Sequence, residues 1–155
     1  MANMDRHTAV SDAVAARVRQ VRIRRQMNVP ELAARCAEFG APQLTAQAIY
    51  KLEGQRDSAA RRPRQVTVDE LLALGLALNC PPLYLIVPPD DPDEPYPVTA
   101  TVTESRANVA DWFVGTGPIM PSPALVGDVR QFYTELPEAK FQAILGYKKD
   151  EATDL

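Results

Sequence analysis

The sequence predicts a mostly α-helical protein, and three observations support this prediction. Between residues 11 and 87, apolar residues recur at helical spacing in five short segments separated by Gly, Pro and Asn. Residues 88–97, PPDDPDEPYP, are half proline and nearly half acidic, which favours a stiff, extended linker and a domain boundary. Residues 98–147 contain one strand-like segment and further short amphipathic segments. We therefore predict a five-helix domain (11–87), a linker (88–97), and a C-terminal strand with small helices (98–147).

The first two helices carry regular apolar faces. The first is predicted over Ser11–Gln26, with Ser11 as its N-cap and three valines on one face: Val14, Val18 and Val21. Its arginines are scattered around the remaining surface, so that not all of them can face one partner. The second helix begins at Pro30, where proline is tolerated, and directs Leu32, Ala33 and Cys36 inward. We interpret Cys36 as a small core residue rather than a reactive thiol.

The third helix is predicted within Leu44–Gly54, LTAQAIYKLEG, with Thr45 as N-cap and Gly54 at its end. Ile49 and Leu52 lie three residues apart and form its apolar side. Three residues point outward from the other side: Gln47, Tyr50 and Lys51. A short helix with a buried back and an exposed amide and ammonium has the form of an element that reads a DNA groove.

A basic loop follows this helix. Residues 54–66 contain the densest run of positive charge in the chain: Arg56, Arg61, Arg62 and Arg64. Beside a candidate reading helix, contact with DNA phosphates is the favoured interpretation, and a solvated loop is the alternative. Residues 1–65 hold 12 Lys and Arg against 6 Asp and Glu, whereas residues 66–155 hold 5 against 14. This asymmetry indicates a polyanion-binding part and a part with a different role.

The fourth and fifth helices complete the first domain. Thr67 and Glu70 form a capping-box pattern that opens a helix ending at Asn79. Its apolar repeat is formed by leucines at helical spacing: Leu71, Leu74 and Leu78. Pro81 and Pro82 then begin a short fifth helix.

The C-terminal region begins with Val98–Thr103, VTATVT, the only clear strand pattern in the sequence. Because no second strand of similar strength is apparent, we expect it either to pair with its own copy across a two-fold axis or to lie on the protein's own surface. Ser105 caps a predicted helix over Arg106–Val114, which Gly115 ends. Another begins at Pro123. The predicted dimer or partner contacts are apolar: Val98, Val102, Trp112 and Phe113.

The aromatic residues of this region allow a second interpretation. Trp112, Phe113 and Phe132 could line a small-molecule pocket, but core packing is the favoured explanation. About 50 residues alone make a poor core. We therefore expect these helices to pack on the first domain or on a second subunit.

Composition excludes several other classes. The 155 residues are 46% hydrophobic and 24% charged, which is ordinary for a globular protein. No apolar run approaches the roughly 18 residues of a membrane span, and the N-terminus lacks a signal-peptide pattern, so we expect a cytoplasmic, nucleoid-associated protein. A single histidine, His7, and two cysteines outside any CxxC pair predict no metal site, no cofactor and no enzymatic centre.

The order of these motifs resembles a known family. ELA opens the second helix, A-I-x-x-L-E-G ends the third, and LLALGLALN precedes a short L-Y-L-I turn. This arrangement, over about Ala13–Val87, resembles the lambda-repressor-like helix-turn-helix family, also called the Cro or XRE family, and its actinobacterial members. The resemblance implies that the second helix abuts the DNA backbone and the third lies in the major groove.

The resemblance also assigns roles to residues. It places base reading on one stretch of the third helix: Thr45, Ala46, Gln47, Tyr50 and Lys51. The Gln47 amide can pair bidentately with adenine, and Lys51 can donate to guanine or to phosphate. The resemblance further implies a structural ion pair between Arg22 and Glu53. In two respects the sequence departs from the family: Val29 and Pro30 occupy the place of a phosphate-binding glutamine, and the connection from Cys36 to Leu44 is long.

From these observations we predict a sequence-specific regulator that binds double-stranded DNA. We expect it to act as a repressor that binds an inverted repeat as a homodimer. The alternative is a protein-interaction adaptor or antitoxin that retains the helix-turn-helix fold and binds a protein partner through its acidic C-terminal region. Steep salt dependence of DNA binding would distinguish the first from the second.

Overall fold

The computed structural model of the chain describes residues 9–54, 65–119 and 129–138, together with Lys140 and Ala143. Within these residues the protein is mostly helical with a small two-stranded sheet. The elements in order are α1 (Ala9–Arg24), α2 (Val29–Glu38), α3 (Ala46–Leu52), α4 (Val68–Ala77), α5 (Pro82–Ile86), β1 (Pro95–Pro97), β2 (Thr103–Ser105), α6 (Arg106–Val114) and α7 (Val129–Thr134).

The first five helices enclose one apolar core. α1 packs on α5, α2 packs on both α3 and α4, and α4 packs on α5. Fully buried aliphatic side chains come from every one of these helices and from the turn before α3: Val18, Leu32, Leu44, Ile49, Leu74, Leu78 and Leu85. Cys36 is also fully buried, and its burial raises the pKa of the thiol to about 11. Cys36 is therefore a core residue, as the sequence predicted.

Side-chain caps fix where the helices begin. Thr45 accepts from the Ala48 amide at 3.2 Å, and Thr67 and Glu70 form the predicted capping box. A second capping box, between Asn28 and Glu31, starts α2 one residue before the predicted Pro30. Ser11 is not an N-cap, because α1 already begins at Ala9; its hydroxyl instead accepts from the Val66 amide at 3.3 Å.

The prediction of a strand over Val98–Thr103 is wrong in its bounds. Residues 98–101 instead form the turn of a hairpin, in which Thr99 Oγ1 accepts from the Thr101 and Val102 amides. The strands are β1 and β2, which pair antiparallel with Tyr96 opposite Glu104. The two strands therefore form their backbone hydrogen bonds with each other, within one chain, and not with a second copy.

The hairpin joins the helical core. Tyr96 is 5% exposed, and its hydroxyl donates to the Ile86 carbonyl at 2.9 Å. Val109 of α6 is fully buried in the same cluster as Val18 and Leu85. Tyr96 lies inside the segment expected to be a linker, so apolar packing continues through residues 96–109 without a break at residue 87.

The C-terminal helices are only partly covered. Ser105 caps α6 and Gly115, with φ of 76°, ends it, as predicted. Trp112 and Phe113 are 39% and 46% exposed, so neither ring belongs to the buried core of the single chain. Phe132 of α7 is half-buried. Pro123, where another helix was predicted to begin, lies outside the described residues.

Candidate nucleic-acid interface

α3 is a short helix with one buried and one exposed side. Ile49 and Leu52 are at most 2% exposed and hold the helix against the core. Gln47 and Lys51 are both exposed. Because they are four residues apart, their side chains lie on the same helical face. The structure therefore brings an amide and an ammonium together on the open side of α3.

The other predicted reading residues are less accessible. Ala46 and Tyr50 are half-buried and pack against the core. Thr45 is exposed, but its hydroxyl oxygen already accepts the Ala48 amide. Of the five positions, Gln47 and Lys51 are consequently the most available to a ligand in a groove.

A buried ion pair anchors the C-terminal end of α3. Arg22 of α1 donates from Nε and Nη2 to the two carboxylate oxygens of Glu53, at 2.8 and 2.6 Å. Its Nη1 donates to the Met27 carbonyl at 2.8 Å. The hydrogen bonds that Arg22 donates to the Glu53 carboxylate raise the pKa of Arg22. This bidentate contact is the ion pair expected from the resemblance, and it ties α1, the turn after it, and α3 together.

Two arginines, one in α1 and one just after it, have structural partners. Arg17 donates from Nε to the Tyr84 carbonyl at 3.1 Å, and Arg25 donates to the Asn79 carbonyl at 2.9 Å, beyond the end of α4. Arg25 thereby places a positive charge at the negative end of that helix. Arg19 and Arg24 are exposed. Part of the positive charge in this segment is therefore used in tertiary contacts.

The beginning of α2 carries a carboxylate. Glu31 accepts from the Asn28 amide at 2.7 Å and remains exposed. A carboxylate at this position repels an anion. The four predicted phosphate contacts, Arg56, Arg61, Arg62 and Arg64, lie outside the described residues.

The predicted dimer or partner residues divide into two groups. Val98 and Val102 are half-buried in the hairpin turn, where the Val98 amide donates to the Val102 carbonyl at 2.9 Å. Trp112 and Phe113 instead form an exposed edge-to-face pair on α6, with ring centroids 5.4 Å apart. Of the four, only the two aromatic residues offer a large apolar surface.

One exposed apolar surface, on α4, was not predicted from the sequence. Val68, Leu72 and Leu76 of α4 are 72%, 50% and 59% exposed. Their four-residue spacing places them on one helical face, and this spacing was available in the sequence. It was overlooked because the neighbouring leucines at 71, 74 and 78 satisfy the inward-facing pattern.

Comparisons with protein-family models, with curated proteins and with solved structures found no match to this chain. The described residues contain no group of three or more His, Cys, Asp or Glu side chains placed to hold a metal ion. None of the helices in that part of the chain combines the length and the apolar character needed to cross a bilayer.

Proposed function

We propose that this protein is a sequence-specific regulator that binds double-stranded DNA through a lambda-repressor-like helix-turn-helix domain. The observation that carries the proposal is the exposed Gln47–Lys51 pair on a helix whose back is buried and whose end is fixed by Glu53. A reading element needs side chains of defined direction, and the capped, anchored α3 supplies them. The order of motifs in the sequence supports the same assignment.

In the proposed complex, α3 enters the major groove. Gln47 pairs with adenine N6 and N7, and Lys51 donates to guanine or to an adjacent phosphate. The arginines of residues 56–64 contact phosphates and set the position of the domain without reading sequence. Two copies bind an inverted repeat with half-sites about one helical turn, ~34 Å, apart. Occupancy of such a site blocks polymerase and represses transcription.

Selection of bound fragments from random duplex DNA, at fixed salt concentration, tests this proposal. The expected result is an enriched inverted repeat, bound with a steep decrease in affinity as salt concentration rises. Enrichment of an isolated half-site would contradict the dimer. No enrichment, combined with no binding to duplex DNA at low salt, would contradict DNA binding itself.

Replacing Gln47 by alanine is expected to relax sequence preference. A bidentate contact to a base contributes about 1–3 kcal/mol of discrimination, so the ratio of specific to random-DNA affinity falls by about 5- to 150-fold. Affinity for both DNAs is measured by fluorescence anisotropy. Gln65→Ala removes the same amide from an exposed position outside α3 and should preserve the ratio. If the ratio of specific to random-DNA affinity is unchanged in Gln47→Ala, Gln47 does not read bases.

Replacing Arg62 by alanine should act differently, because a phosphate contact carries no sequence information. We expect equal weakening on specific and random DNA, with the slope of log K against log salt concentration lower by about one unit. Titrations at several salt concentrations measure this slope. A selective loss on the specific site would contradict the assignment of Arg62 to the backbone.

The exposed aromatic pair on α6 supports a second candidate, a protein-interaction adaptor or antitoxin that keeps the same fold. Trp112 and Phe113 could be covered by a protein partner instead of a second copy. An adaptor would show weak and salt-insensitive binding to duplex DNA. The salt titration above therefore distinguishes this candidate from the regulator.

A further inference from the structure

A cleft lies between α1 and the segment that leads into the hairpin. Its volume is about 430 Å³, within the range of roughly 300–1,000 Å³ found for small-molecule sites. The α1 side consists of Ala13, Ala16 and the longer Arg17 and Gln20. The opposite side presents proline rings and Tyr96, and Arg106 from the start of α6 also lines it. The lining of the cleft thus includes small apolar side chains and two guanidinium groups.

Arg17 is a buried cation with mainly neutral partners. It is 6% exposed and donates to the Tyr84 carbonyl and, at 2.6 Å, to the Gln20 side-chain carbonyl. Its carboxylate neighbour, Asp90, lies 3.8 Å from Nη1, beyond hydrogen-bonding distance, and is 57% exposed. The guanidinium is therefore held mainly by neutral partners, whereas the Asp90 carboxylate is open to solvent.

Arg106 is also largely buried, but it has a direct carboxylate partner. Its Nη2 lies 2.7 Å from Glu94 Oε2, and its side chain is 17% exposed, against 49% for Glu94. Its Nε is buried and has no hydrogen-bond partner among the described residues. A buried donor of this kind leaves hydrogen-bonding capacity unused, at a cost in free energy that a suitable acceptor would recover.

We propose that this cleft binds a small organic anion. A carboxylate or phosphate group of the ligand contacts the guanidiniums of Arg17 and Arg106 and displaces the exposed carboxylates of Asp90 and Glu94. The apolar body of the ligand packs on Ala13, Ala16 and the Tyr96 ring. Asp90 and Glu94 also line the cleft, so the anion takes over the ion pairs that these two exposed carboxylates make with the buried guanidiniums.

Such a ligand would contact both α1 and residues 88–106. Binding to the folded state alone stabilises the protein, so the melting temperature should rise with ligand concentration. The site is distant in sequence from Gln47 and Lys51, and its occupancy does not depend on DNA. The proposal therefore stands or falls separately from the proposed DNA binding.

Calorimetric titration of the full chain with benzoate and with inorganic phosphate, at constant ionic strength, tests the site. We expect saturable binding of one equivalent of at least one probe. Arg106→Gln should weaken it at least tenfold, while Arg19→Gln, which removes an exposed arginine of α1 that does not line the cleft, should not. Binding of benzoate alone identifies a carboxylate ligand, binding of phosphate alone a phosphate ligand, and either supports the proposal.

Two results would overturn it: an unsaturable response to both probes, or equal affinity of the wild type and Arg106→Gln. If Arg106→Gln does not fold, Arg106→Lys is the second variant. It keeps the positive charge but removes the planar guanidinium, so weaker binding is again expected. Backbone NMR of the wild type gives a measurement without any variant. Shifts at Ala13, Ala16 and Gln20 on adding the bound probe support the site, and shifts confined to other elements contradict it.

Discussion

Glu53→Ala is expected to lower the free energy of unfolding by about 3–5 kcal/mol. The substitution leaves the Arg22 guanidinium buried without its bidentate partner, since the side chains of both residues are less than a tenth exposed. A buried cation without compensation costs far more than an exposed one. Urea denaturation followed by far-UV circular dichroism measures the change, with the midpoint and slope fitted together.

Two further variants isolate the cause. Glu38→Ala removes an exposed glutamate at the end of α2 and should change stability by less than about 0.5 kcal/mol. The double substitution Arg22→Met with Glu53→Leu removes both charges, and we expect it to recover most of the loss. If Glu53→Ala unfolds at the same urea concentration as Glu38→Ala, the pair does not anchor α3.

Tyr96→Ala is expected to destabilise the protein by about 3 kcal/mol. The substitution removes a buried ring from the core and leaves the Ile86 carbonyl without the 2.9 Å hydrogen bond from the tyrosine hydroxyl. Tyr96→Phe keeps the ring and should cost about 1 kcal/mol. Both values come from the same denaturation measurement.

Following wild-type unfolding with two spectroscopic probes tests whether the hairpin and the helices unfold together. Wild-type transitions followed by circular dichroism and by Trp112 fluorescence should coincide, because Tyr96 and Val109 share one core with α1 and α5. Tyr84→Ala, at a ring that is 42% exposed, provides the matched control and should cost less than Tyr96→Ala. Two separated transitions in the wild type would show instead that residues 88–119 unfold as an independent unit.

Local signals explain which parts of the fold could be predicted. Thr45, Thr67 and Ser105 cap helices because a hydroxyl there reaches an amide three residues ahead, and this relation is visible in the sequence. The strand bounds were missed because the partner strand, Pro95–Pro97, contains two prolines and reads as a linker. A tertiary contact, the packing of Tyr96 into the helical core, fixes the position of this strand and of the hairpin.

The candidate sites show the same division. The outward direction of Gln47 and Lys51 follows from helical periodicity and was predictable. The half-burial of Tyr50 depends on how α3 meets the core, which periodicity alone does not give. The cleft joins Arg17 to Arg106, residues almost ninety positions apart, so that no local pattern could have indicated it.

The hairpin has a consequence for how copies of this chain can associate. Its strands are three residues each and already paired with each other, and β1 has proline at both ends. Proline supplies no amide hydrogen, so the outer edge of β1 offers at most the Tyr96 amide to an incoming strand. Addition of a further strand at this edge is therefore disfavoured, and a two-stranded sheet is the form that the β1 sequence permits on that side.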